Sequence, residues 1–293
     1  MSTHSPALNA INELTLLDFA RNEQGQSVPI VLTRRTASPI KGVYTWKPSL
    51  LPDGPPARKP SQLPPPGQLK AQISAQELIG DGRCGTVYST NILDIYDPQQ
   101  QNLTIWNPKA PSLPNLVIKI ADFDRLDDME HEAGVYDEME SLQGIAIPRC
   151  YGWFEAELPN AWAVPEQDTA QYPKIPRKLS VLLLERMGGH LPLGERLPDR
   201  NDLWAVFNDM SRLGIEQPDM RYSNILYAPS SDKDSIGEVC PNHDCVHKYR
   251  VIDFDRARKT DYTLKQHYYE QIGTLGRLLE MMEMNIILEP WEY

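Results

Sequence analysis

Proline dominates the stretch from Pro48 to Gly67, PSLLPDGPPARKPSQLPPPG, and this feature divides the chain before anything else is read. Each proline removes a backbone N–H and fixes φ, so no helix interior can run through the segment. It is expected to lie extended in polyproline II geometry, as a linker or as a strap across the surface. A protein partner of the SH3 type reads such segments, so a protein partner is compatible with it. The residues ahead of it, Leu8 to Lys47, hold one short helical pattern, LNAINELTLLDFA, and two β-rich runs, VPIVLT and GVYTW. The organisation read here is an N-terminal accessory segment, 1–47, and a proline-rich linker, 48–70.

Beyond the linker come strand-like runs at LIGDGRCGTVYS, LVIKIA and LSVLLLE, with a polar helical segment from Phe123 to Leu142 between the last two. That is the order of a small antiparallel sheet with one helix inserted, over 71–187. The remainder, 188–293, opens with a helix from about Asn201 to Leu213, in which Leu203, Val206, Phe207, Met210 and Leu213 recur at helical spacing and Gly214 supplies the stop. Two short strands, NILYA and YRVIDF, follow. A last helix runs from about Leu264 to Met284, with Ile272, Leu275, Leu279 and Met282 on one face. There is no internal repeat.

With 293 residues and 41% of them hydrophobic, the chain fills either one large domain or two lobes sharing a cleft. A formal net charge of -11 repels phosphate backbones and anionic lipid, which argues against nucleic-acid and membrane-surface partners. Four cysteines are too few for a disulfide scaffold and point to a reducing compartment. No stretch approaches the roughly 18 apolar residues of a membrane helix, and MSTHSPALNA lacks the order of a secretory signal. A cytoplasmic or nuclear location is expected.

Five features bear on chemistry. Gly80, Gly82 and Gly85, followed by Val87, form G-x-G-x-x-G-x-V inside a β-rich segment, where a hairpin backbone can lie over a triphosphate and Val87 can cover an adenine; an ordinary glycine-rich hairpin has the same sequence. Lys119 sits in the apolar run LVIKIA and must point to solvent or find a partner. Glu132, thirteen residues on, can hold it against phosphate oxygens, with Glu130 and Glu138 competing for that role. In QPDMRYSNILY, Asp219 can accept a hydroxyl proton, Asn224 can offer a neutral oxygen to Mg²⁺, and Arg221 can neutralise a transferring group; Asp219 and Asn224 can equally cap turns. Asp253 ends the apolar run RVIDF, where a carboxylate needs a cation, and Asp255 adds charge beside it or faces water.

The order of these features, together with EAGVYDEMESLQG…IPRCYGWF and VIDFDRA, resembles the protein-kinase superfamily over about residues 74–285. It looks in particular like the small kinase-like proteins of basidiomycete fungi. The resemblance implies an α+β, two-lobe fold with an antiparallel-sheet N-lobe and a reduced helical C-lobe, binding ATP and Mg²⁺. It implies that Lys119 binds phosphates, Glu132 anchors it, Asp219 is the catalytic aspartate, and Asn224 and Asp253 bind the metal. It also makes Leu184 the gatekeeper and the backbone of Glu185 and Met187 the adenine-contacting hinge. The sequence departs from that family at Gln217 and Pro218, where histidine and arginine are usual, and at Asp255, where glycine is usual. Only 40 residues follow Asp253 and no A-P-E occurs, so a peptide-docking platform is not expected.

Two insertions stand out, 89–115 and 229–248. The second carries Cys240, His243, Cys245 and His247, four soft donors in the spacing C-x₂-H-x-C-x-H, which matches no common zinc module and is otherwise a polar loop tip. The activity expected is transfer of the γ-phosphoryl group of ATP, with Mg²⁺, to a hydroxyl of a protein or small molecule. The alternative is a pseudokinase or interaction module that binds nucleotide weakly or not at all.

Overall fold

A computed structural model describes residues 6–45, 49–99, 113–165, 177–229 and 237–289. The chain divides into two compact units, one comprising Met1–Ala37, Gln62–Ala133 and Arg149–Arg186, the other Ser38–Ser61, Gly134–Pro148 and Met187–Tyr293.

The first unit is built on a closed barrel of seven strands: β1 (Ile11–Arg21), β2 (Ser27–Arg35), β4 (Leu69–Gly82), β5 (Gly85–Tyr96), β6 (Leu116–Ala121), β7 (Cys150–Glu157) and β8 (Lys178–Glu185), hydrogen-bonded in the order β1-β2-β7-β8-β6-β5-β4. Neighbours pair antiparallel except at the closure, where β1 runs parallel to β4. Alternate residues fill the interior: Leu14, Leu16, Ile30, Leu32, Ile73, Leu116, Ile118, Ile120, Val181 and Leu183 belong to one buried cluster. Helix α1 (Leu126–Glu138) begins in this unit and ends in the other.

The second unit holds α2 (Arg200–Arg212), α3 (Leu264–Gln271), a π turn at Ile272–Gly276 and α4 (Arg277–Glu283). Thr263 and Gln266 close a capping box at the start of α3. Two small sheets complete the unit. The first pairs β10 (Ile225–Tyr227) with β11 (Tyr249–Val251); the second runs β3 (Gly42–Val43), β12 (Arg258–Thr260), β9 (Ile215–Glu216). Leu203, Val206, Phe207, Met210, Val251, Phe254, Leu275 and Leu279 are buried here, with Phe254 meeting Tyr136 edge-to-face at 5.3 Å between centroids.

This architecture corrects the kinase-like expectation. Among the described residues strand outweighs helix, seven of the strands close into a barrel, and α-helix is confined to three stretches. The expected two-lobe α+β fold, with an antiparallel-sheet N-lobe and a reduced helical C-lobe, is therefore not what forms, and the resemblance to the protein-kinase superfamily does not extend to the fold. The physical reason lies in the stretch read as accessory. Both edges of the antiparallel set β4-β5-β6-β8-β7 carry unpaired backbone groups, and β1 and β2 pair with β4 and β7 respectively, leaving no edge. The helical pattern in LNAINELTLLDFA is likewise overruled: its apolar residues line the barrel from a strand, with Asp18 at φ +58° marking the irregularity that brings both Phe19 and Ala20 inward.

Candidate functional site

In the barrel unit, β6 is buried on both faces, which decides where Lys119 goes. Leu116, Ile118 and Ile120 point into the barrel, so Val117, Lys119 and Ala121 point outward and are still buried. The Lys119 ammonium meets the Glu132 carboxylate of α1 at 2.6 Å. Of the competing glutamates, Glu138 pairs instead with Lys259. Glu132 is buried on α1 and, of the three glutamates, is the one paired with Lys119 in this ion pair. Val87 lies directly opposite Lys119 on one side and Gly80 on the other, so these three share a row across adjacent strands.

The glycines of the hairpin have unequal roles. Gly85 adopts φ +142°, and a Cβ there would stand 1.9 Å from the Ile120 carbonyl oxygen, so only glycine fits. Gly80 would place a Cβ in ordinary contact with Val87 at 3.7 Å. Gly82 pairs with Gly85 at the turn, whose tip is fastened to α1 by an Arg83–Asp128 ion pair of 3.2 Å. At the end of β8, Leu184 is buried, and Glu185 accepts hydrogen bonds from the Arg149 amide and guanidinium at 3.1 and 2.9 Å. The Glu185 amide donates to the Arg149 carbonyl.

In the second unit, the loop after β9 and the end of β11 bring Asp219, Asp253 and Asp255 together: one carboxylate oxygen from each lies within 4.8 Å of the others. Asp219 and Asp255 are buried. The Asn224 amide donates to the Asp219 carbonyl at 3.0 Å, and the Ile252 amide donates to the Asn224 carbonyl at 3.0 Å, which ties the loop to the segment after β11 that carries Asp253. Gln217 braces the same junction, its amide donating to the Asp253 carbonyl at 2.7 Å. Asp253 itself sits at φ +64°. Three carboxylates form an all-oxygen donor set, the kind that suits a hard cation such as Mg²⁺ rather than a thiophilic metal.

Arg221 is engaged with Asp219 through its Nε at 2.9 Å and through a second nitrogen, and with Glu289 at 3.1 Å. Burial lowers the pKa of Arg221, but these carboxylates outweigh it and hold the guanidinium charged. Met187, next to Gly188 whose amide donates to the Tyr227 carbonyl, belongs to this unit, whereas Glu185 belongs to the barrel.

A second constellation involves the cysteine–histidine insertion. Cys240, His243 and His247 converge with Asp209 of α2, while Cys245 stands apart with Asp202 and the other side of His247. Asp209 was not among the residues that spacing singled out. Its signal is a carboxylate between Val206 and Met210 in an apolar helical stripe.

No protein-family model matches the chain, and none of the curated proteins is significantly similar to it. Among the described residues no helix is long and apolar enough to cross a membrane.

Proposed function

We propose that this protein is an ATP- and Mg²⁺-dependent phosphotransferase that moves the γ-phosphoryl group to a hydroxyl of a protein or small molecule. The observation that carries this reading is the convergence of Asp219, Asp253 and Asp255 with Asn224 braced beside them. Asp253, Asp255 and Asn224 are the residues that would hold Mg²⁺, which supplies charge neutralisation to phosphate oxygens. In this reading Asp219 would accept the hydroxyl proton. Phosphoryl transfer asks a protein mainly for positioning and electrostatics, which carboxylates and cations of this kind supply. Lys119 enters the reading as a phosphate ligand on residue type and burial, with Glu132 holding it.

A second reading, nucleotide binding without transfer, is favoured by one contact. Arg221 already occupies Asp219 from within the same loop, which opposes a role for Asp219 as proton acceptor.

Calorimetric titration with ATP, with and without Mg²⁺, separates these. Binding that tightens with Mg²⁺ in the wild type and loses that dependence in Asp253→Ala supports the metal assignment. ATP turnover abolished by Asp219→Asn supports transfer. Mg²⁺-dependent binding with no turnover on any acceptor favours the second reading, and absence of nucleotide binding overturns both.

A further inference from the structure

We propose that Asp209, Cys240, His243 and His247 form a structural zinc site that fastens residues 237–248 of the second insertion to α2. The inference does not rest on the phosphotransferase reading.

Asp202 and Asp209 are seven residues apart, two turns of α2, and so present their carboxylates on one face. Asp209 is fully buried in an apolar stripe, where a carboxylate is costly unless a cation or several donors meet it. The insertion is shaped to meet it. Its turn is closed by the Cys240 amide on the Cys245 carbonyl at 2.8 Å and the Asp244 amide on the Cys240 carbonyl at 2.9 Å, with Asp244 at φ +51°. That turn folds His243 back onto Cys240, and His247 follows just before β11.

The four donor atoms are already spaced as the corners of one small polyhedron. Asp209 Oδ2 lies 3.0 Å from Cys240 Sγ, 3.3 Å from His243 Nδ1 and 3.1 Å from His247 Nε2, and Cys240 Sγ lies 3.5 Å from His243 Nδ1. Tetrahedral zinc with its usual bond lengths sets ligand–ligand edges of about 3.3–3.7 Å, so the Asp209–Cys240 and Asp209–His247 contacts would open by a few tenths of an ångström around the ion. A mixed sulfur, nitrogen and oxygen set suits zinc better than a hard cation. Cys240, His247 and Asp209 are buried, and His243 is three-quarters covered, which closes the site to substrate and makes it structural.

Each ligand has a support of its own. The Asn242 side chain donates to the other Asp209 oxygen at 2.7 Å, and the Asn242 amide donates to Cys240 Sγ at 3.4 Å, a donor that stabilises a thiolate. Asp202 lies 2.6 Å from His247 Nδ1, which fixes the ring so that Nε2 faces Asp209, the carboxylate–histidine–metal arrangement. Asp202 is in turn held by the Lys248 amide at 2.7 Å.

The test uses the full chain, kept reduced and purified from zinc-supplemented medium. Elemental analysis is expected to find about one zinc per chain, and chelation is expected to lower the thermal midpoint reversibly. Replacement by Co²⁺ should give intense visible bands of tetrahedral geometry and a near-ultraviolet thiolate-to-cobalt band. Cys240→Ser should abolish the near-ultraviolet band and Cys245→Ser should leave it. Asp202→Asn, which spares every ligand, should weaken zinc about 10- to 100-fold in competition with a chromogenic chelator. Wild-type protein without stoichiometric metal and without a tetrahedral cobalt spectrum overturns the proposal, as does loss of the thiolate band in Cys245→Ser but not Cys240→Ser. The wild-type measurements decide the matter even where a ligand variant fails to fold.

Discussion

Lys119 Nζ lies 2.6 Å from Glu132 Oε2, and the two side chains keep only 8% and 1% of their exposure. A charge pair this deep is a poor source of net stability, but removing one partner strands the other. Glu132→Ala is therefore expected to cost about 3–5 kcal/mol in urea unfolding, through loss of the carboxylate that matches the buried ammonium. Replacing the pair together, Lys119→Met with Glu132→Leu, should recover most of that loss. A single-variant cost below about 1 kcal/mol would mean that the ammonium is hydrated or otherwise matched.

Gly85 and Gly80 belong to one motif but answer different physical demands. Gly85→Ala should destabilise the barrel by at least about 2 kcal/mol, from strained φ and a clash with the Ile120 carbonyl. Gly80→Ala, in open contact with Val87, should stay within about 1 kcal/mol. Denaturant midpoints of the two variants check this, and equal effects would show that the hairpin relaxes.

Asp253 carries a left-handed backbone that favours glycine. Asp253→Gly and Asp253→Ala delete the same carboxylate, so both should lose Mg²⁺-dependent nucleotide binding. The glycine variant should be the more stable by about 1–2 kcal/mol, because it alone relieves the backbone. Unfolding of the two variants side by side measures the strain retained at this position.

His267 is buried in α3 against Tyr262, and burial pushes its pKa down from 6.5 to about 4. The neutral ring is the folded form. The unfolded chain binds the extra proton first, so this contribution is intact above about pH 6.5 and is lost as pH falls toward 4, with a total of roughly 3 kcal/mol. Stability curves of wild type and His267→Gln between pH 7 and 4 should converge as the pH falls. Parallel curves would show that His267 does not carry the acid sensitivity.

Much of the local structure was legible. Apolar runs at LVIKIA and LSVLLLE read as strands and form β6 and β8, and the helical spacing of Leu203, Val206, Phe207 and Met210 reads as the helix that forms α2. The acids near Lys119 were legible only as a set. Residue type and spacing admit Glu130, Glu132 and Glu138, and the choice belongs to which face of α1 turns toward β6. Asp253 was legible from the apolar run it ends, whereas Asp219 was read from its loop spacing to Asn224 and Asp255 only as charge beside Asp253 or a residue facing water, and their convergence came from the fold.

What the amino-acid order determined by itself was local: most of the later strands and helices, where proline excludes a helix, and which ionisable side chains sit in apolar surroundings, whereas the helical pattern of LNAINELTLLDFA yielded to strand β1. What only the tertiary structure decided was non-local. Closure of the barrel depends on β1 finding β4 and β2 finding β7, pairings made by backbone groups that every residue carries, so sequence marks them weakly. The same holds for Asp209, which reaches Cys240 across 31 positions and becomes a candidate ligand only when α2 and the insertion fold together. Side-chain chemistry is written residue by residue, whereas backbone pairing and long-range convergence are settled by the free energy of the whole chain.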